Sequence, residues 1–138
     1  MWLVGFPLLL IPFAIYNIVA FLMPEVAWDG PATSFGMASG VPWTMTTGAW
    51  LLVLAVFMLM LETIKATRTS PRSIVDHALS LILFLAMGVE FILVPRAATA
   101  TFFVMLVIAF VDVVGGFAVT LRTAQRDLTI EGHDRLVS

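Results

Sequence analysis

With 61% hydrophobic and 12% charged residues over 138 positions, and a mean hydropathy of +1.06, this chain has too few polar side chains to cover a water-soluble fold. Soluble domains carry roughly 25% charged residues. The formal net charge of −2 comes without a basic patch, so nucleic acid is not an expected partner. No cysteine is present, which excludes disulfides, thiolate metal sites and thiol redox chemistry. The two histidines, His77 and His133, both fall outside mid-membrane positions. No metal and no cofactor is therefore expected.

What remains is an all-α integral membrane protein. The expected architecture is a four-transmembrane-helix bundle over residues 1–121 followed by a short tail, 122–138. The first span is read over 2–23, about the ~20 apolar residues that a bilayer core requires. It lacks the basic n-region and the small-residue cleavage site of a signal peptide, so it is expected to be retained. Pro7 and Pro12 are expected to kink it or loosen its early hydrogen bonds, and Asn17 is its one strongly polar side chain.

Residues 24–47 are rich in Pro, Gly, Ser and Thr, contain Glu25 and Asp29, and hold no Lys or Arg. This stretch reads as an outer loop. Its inner part, 33–40, leaves two courses open: a surface loop over the helix ends, which we take as the reading, or a re-entrant piece. Trp28, Trp43 and Trp50 are expected to anchor at the water interface, where indoles are favoured.

The second span, 48–66, ends in Glu62 and Lys65, three residues apart and able to meet on one helix face. Lys65 is expected to snorkel to the headgroups as an interfacial anchor, with Glu62 as its ion-pair partner. A short basic connection with Arg68, Pro71 and Arg72 leads to the third span, 75–94. Asp76 and His77 stand at its start and are read as a solvated helix entrance. Asp76, Ser80, Leu83, Met87 and Glu90 share one face by helical spacing.

The fourth span, 101–121, follows the Pro95-Arg96 turn, with Arg96 as an interfacial anchor able to reach back to Glu90. Thr101, Met105, Asp112, Gly116 and Thr120 form one small-and-polar stripe. An ionisable group in hydrocarbon costs at least ~2.5–3.5 kcal/mol, which makes Asp112 a site candidate by default. Gly115 and Gly116 beside it favour close helix packing. The polar tail is expected to continue the helix for about one turn and to break at Glu131-Gly132.

Six of the seven basic residues, Lys65, Arg68, Arg72, Arg122, Arg126 and Arg135, share one side of this topology, and only Arg96 lies on the other. By the positive-inside rule both termini are cytoplasmic. An uncleaved, cysteine-free polytopic chain fits a bacterial cytoplasmic (inner) membrane.

Asp112, Glu90, Asn17 and Glu62 are the ion- or proton-binding candidates. Glu90 lies roughly 10–15 Å from Asp112 along the bilayer normal at 1.5 Å per residue, too far for a direct pair. The nearest candidates for Asp112 are Asn17 and Glu90 on the outer side and Glu62 on the inner, and no mid-membrane cation is foreseen. No nucleophile with a nearby base can be picked out, so the chain is not expected to be an enzyme and no catalytic residue is assigned. The leading expectation is an accessory or scaffold subunit that works by helix packing, with the bilayer and other membrane subunits or its own copies as partners. The alternatives are a proton- or cation-linked small carrier or channel using Asp112 and Glu90, and a lipid- or quinone-binding enzyme subunit.

Overall fold

The computed structural model describes residues 5–67 and 72–137, apart from the side chains of residues 72, 73 and 123. Trp2 and its neighbours in the expected first span, together with Arg68, Pro71 and the Arg72 side chain of the expected basic connection, lie outside the described residues. The elements run α1 Leu10–Leu22, β1 Pro31–Gly36, β2 Pro42–Thr46, α2 Thr47–Ala66, α3 Arg72–Leu93, a 3-10 turn at Pro95–Ala97 and α4 Ala100–Val137. The protein is mostly helical. Among the described residues, three helices are long and apolar enough to cross a membrane: Thr47–Ala66, Ile74–Leu93 and Ala100–Val137.

The first helix is shorter than its apolar run. Its 13 residues extend about 20 Å, against the ~30 Å of a hydrocarbon core. The prolines explain this. Leu10 and Ile11 donate to the carbonyls of Pro7 and Leu8 at 3.0 Å, a tight turn that delays the helix. Pro12 then occupies the third helical position, where a backbone N–H would have no intrahelical acceptor. The early hydrogen bonds are thus loosened, one of the two expected effects, and Pro12 removes only a donor that the first turn does not use.

The stretch 24–47 is a correction as well. It folds as an antiparallel hairpin in which Ser34 pairs with Thr44 and Phe35 with Trp43. Pro31 and Pro42 each open a strand, a position that tolerates a missing amide. Gly40 closes the turn with φ +84°, a left-handed conformation that favours glycine. The strands are almost wholly exposed rather than enclosed by helices, so the re-entrant course is not taken. Trp50 on α2 donates its indole N–H to Thr33 at 3.1 Å and ties the hairpin down. Trp43 stacks on Phe35 across the strands. Trp28 turns inward and stacks on Tyr16 at 4.4 Å, so it packs against the core.

In the bundle, α4 packs along both α2 and α3, while α1 leans on α2 and on the 3-10 turn. Tyr16, Phe102, Met87 and Met105 are the largest fully buried side chains of the core. Tyr16 joins three elements at the hairpin end. Its hydroxyl donates to the Arg96 carbonyl at 2.7 Å and meets Thr99 Oγ1 at 2.8 Å. Since Tyr16 has one hydroxyl hydrogen, Thr99 supplies the hydrogen of the second bond. Thr99 Oγ1 also accepts from the Phe102 amide at 3.1 Å and so caps α4. Thr46 does the same for α2 through the Ala49 amide.

At its other end α4 does not break at Glu131-Gly132 but continues to Val137. The helix is 38 residues long, about 57 Å, nearly twice a hydrocarbon core. Gly132 is a helical position with open space around it.

Close approach of α2 and α4 depends on Gly48. A Cβ there would collide with Thr101 Oγ1 and stand 2.9 Å from the Trp28 carbonyl, which already accepts from the Gly48 amide at 2.8 Å. Gly48→Ala should therefore destabilise the bundle by about 1–3 kcal/mol through overpacking. Thermal unfolding in nanodiscs would measure this, and an unchanged Tm would refute the close-contact account.

Candidate functional site

The polar groups between the helices separate into two clusters. At the hairpin end, Asn17 on α1 donates through Nδ2 to the Phe13 carbonyl at 3.1 Å and to Glu90 Oε2 at 3.3 Å. Glu90 Oε1 is buried and has no hydrogen-bond partner among the described residues. Beside this pair runs a groove of about 730 Å³ between α1 and α3, lined by Asn17, Glu90 and apolar side chains including Phe21, Leu85 and Leu93. Arg96 does not neutralise Glu90. Its guanidinium donates to the Ala20 carbonyl and stands 5.6 Å over the Phe21 ring, which pins the 3-10 turn to α1.

At the opposite end, Glu62, Lys65, Ala66, Asp76, His77 and Asp112 surround a cavity of about 10 Å³, room for about one water molecule. Two of its carboxylates accept backbone amides from the segment ahead of α1. Glu62 takes the Leu8 amide and Asp76 takes the Gly5 amide. Lys65 completes the clamp by donating to the Phe6 carbonyl at 2.8 Å and to Glu62 at 3.3 Å. The expected Glu62–Lys65 ion pair forms, and it is buried within the bundle. Its side chains are only 6% and 15% exposed, and Lys65 folds inward because the N-terminal segment offers it a carbonyl.

Asp112 belongs to this second cluster. Ser80 faces it from α3. Lys65 lines the same small cavity, so a cation that hydropathy placed at the headgroups is near Asp112 after all. Asn17 and Glu90, its foreseen outer partners, bond to each other instead. On α3, Ser80 and Glu90 are ten residues apart, about 15 Å along the axis.

One turn further along α4, the His77 ring packs on Gly116. A Cβ at Gly116 would stand 2.5 Å from His77 Nδ1. Thr120 donates its hydroxyl to the Gly116 carbonyl at 2.9 Å and meets His77 Nε2 at 2.6 Å. With the single hydroxyl hydrogen so used, His77 is the donor through Nε2. Asp76 and His77, adjacent in sequence, thus face different elements and form no acid–base pair. The solvated helix entrance is replaced by two half-buried contacts. Gly115, by contrast, has nothing within 4 Å of where a Cβ would stand. Of this pair, Gly116 is the one that packs within the chain.

The residues that sequence reasoning undervalued are Tyr16, His77, Ser80 and Thr120. Spacing did carry a signal for two of them. Ser80 lies on the α3 face shared with Asp76 and Glu90, and Thr120 lies on the α4 stripe with Asp112 and Gly116. The structure presses these two stripes together. Among the described residues no group of three or more His, Asp or Glu is placed to hold a metal. Comparison with known proteins finds no matching family, no matching curated protein and no matching solved structure.

The arrangement therefore joins chain segments: carboxylates hold amides, a lysine holds a carbonyl and a histidine holds a hydroxyl. Two outcomes follow. Glu62→Ala should cost on the order of 3 kcal/mol, since it leaves Lys65 and the Leu8 amide without their shared acceptor; hydrogen exchange should then accelerate at residues 8–11, and unaltered protection would contradict the clamp. Gly116→Ala should destabilise through the His77 ring, whereas Gly115→Ala should be neutral or stabilising by up to ~1 kcal/mol from helix propensity. Equal Tm changes in these two variants would remove the distinction.

Proposed function

We propose that this chain is a four-span protein of a bacterial cytoplasmic membrane, with both termini cytoplasmic, that serves as an accessory or scaffold subunit of a larger membrane assembly through helix packing. The observation that carries this reading is the solvent-exposed end of α4. From Leu121 to Val137 every described side chain is exposed, including Leu121, Leu128, Ile130, Leu136 and Val137.

An isolated helix shorter than ~12–15 residues is marginal in water, and most helical stability in proteins comes from packing an apolar face. The extension of α4 is little longer than that and contains Thr129, Gly132 and Asp134, none of them strong helix formers. A docking partner supplies the missing support. The clustering of Lys65, Arg122, Arg126 and Arg135 toward that end supports a cytoplasmic side for it by the positive-inside rule.

The segment ahead of α1, held by Glu62 and Asp76, continues the first crossing below the short helix, which supports four crossings. The carrier reading draws less from the geometry. Glu90 bonds to Asn17 and Asp112 faces Ser80, with no hydrogen-bonded path joining them among the described residues. The lipid- or quinone-binding reading rests on the apolar α1–α3 groove alone.

Removal of residues 122–138 tests the proposal. In gentle detergent the full chain should migrate in an assembly well above its 15.1 kDa mass, and the truncated chain should fall out of it with its bundle still folded. Native mass measurement reads this directly; a monomeric full chain would defeat the proposal.

A further inference from the structure

The outward face of α4 carries a seven-residue repeat that runs from the bilayer into the tail. In one register, first positions are Val104, Val111, Ala118 and Gln125. Fourth positions are Val107, Val114, Leu121 and Leu128. All eight are exposed, and among the six Val and Leu residues exposure rises from 41% at Val104 to 69% at Leu128. The positions packed into the bundle, Met105, Ile108, Ala109 and Gly116, fall outside this register.

We infer that this face is covered by the same face of a second copy of the chain, the two α4 helices running parallel as a left-handed coil from Val104 to Leu128. The inference rests on the scaffold reading and names its partner. Lipid can cover the stripe through Leu121, the end of the expected span, but it cannot cover Leu128 once the helix has left the hydrocarbon. Because the register runs on across that boundary, through Gln125 to Leu128, one helical occupant accounts for all of it.

The period narrows the occupant further. A strict seven-residue repeat drifts by about 20° per heptad on a straight α-helix, so it stays in contact only with a helix that winds around it. That helix must leave the membrane on the same side and extend as far. A second α4 does so by its own topology, and it presents an identical stripe at identical depth.

Two residues suit the pairing. Gln125 is the one strongly polar side chain at a first position between Val104 and Leu128, and a polar residue there fixes register by bonding to its counterpart. Gly115 borders the stripe and has open space where a Cβ would stand, which lets two backbones approach in lipid. The repeat ends at Gly132 and Arg135, where apolar pairing stops.

The absence of native cysteine makes the test direct. Single-cysteine forms of the full chain, Val114→Cys, Leu121→Cys and Leu128→Cys, are oxidised in native-like membranes beside two controls. Ile130→Cys lies on the opposite side of α4, and Val56→Cys is exposed on α2. A disulfide needs Cα atoms within about 7 Å, so the three stripe variants should give at least about tenfold more cross-linked dimer than either control. That dimer has twice the 15.1 kDa mass of the chain. If native mass shows an assembly but the stripe variants cross-link no better than the controls, another protein covers the face; the second-copy inference then fails and the scaffold reading stands. If the full chain is monomeric, both fail.

Discussion

A backbone amide carried into hydrocarbon must find its acceptor within the chain, because each unsatisfied group there costs several kcal/mol. The amides ahead of α1 meet that demand across the bundle rather than along their own helix. Pro7 and Pro12 postpone the helical ladder, and Glu62 and Asp76 receive the Leu8 and Gly5 amides left outside it. Lys65 holds the Phe6 carbonyl between them and balances Glu62. A short first helix is thereby docked by side chains of α2 and α3.

That constraint changes the meaning of the charged residues inside the spans. A ladder of carboxylates at different depths has the appearance of an ion path when only the chain order is known. In three dimensions Glu62 and Asp76 face backbone donors, Asp112 faces Ser80, and Glu90 faces Asn17. Ion pairs and polar contacts of this kind join segments that apolar contact alone would leave free to slide in lipid. The aromatic node of Tyr16, Trp28 and Phe102 holds the hairpin end in a corresponding way, with stacked and edge-on rings and a hydroxyl that bridges two connections.

With polar groups used inward, the distinctive features left facing outward are the α1–α3 groove and the long face of α4. The inner stripe of α4, with Asp112, Gly116 and Thr120, is committed to the bundle. Its outer stripe of valines and leucines is not. One helix therefore has two surfaces with separate roles, and the glycine pair divides between them: Gly116 admits His77 from α3, and Gly115 faces open space.

The amino-acid sequence by itself determined that the chain belongs in a membrane and that its apolar segments are helical, because hydropathy and helical period are summed along the chain and need no knowledge of neighbours. It also marked Gly116 and the shared faces of Asp76 with Ser80 and Asp112 with Thr120. The hairpin was hidden because strand pairing depends on the partner strand, and small polar residues there resembled an ordinary loop. The tertiary structure alone decided where α1 begins, which way Lys65 and Trp28 point, and which carboxylate meets which donor. Gly5 and Asp76 are 71 residues apart in sequence; only folding brings them within a hydrogen bond, and no local pattern encodes that distance.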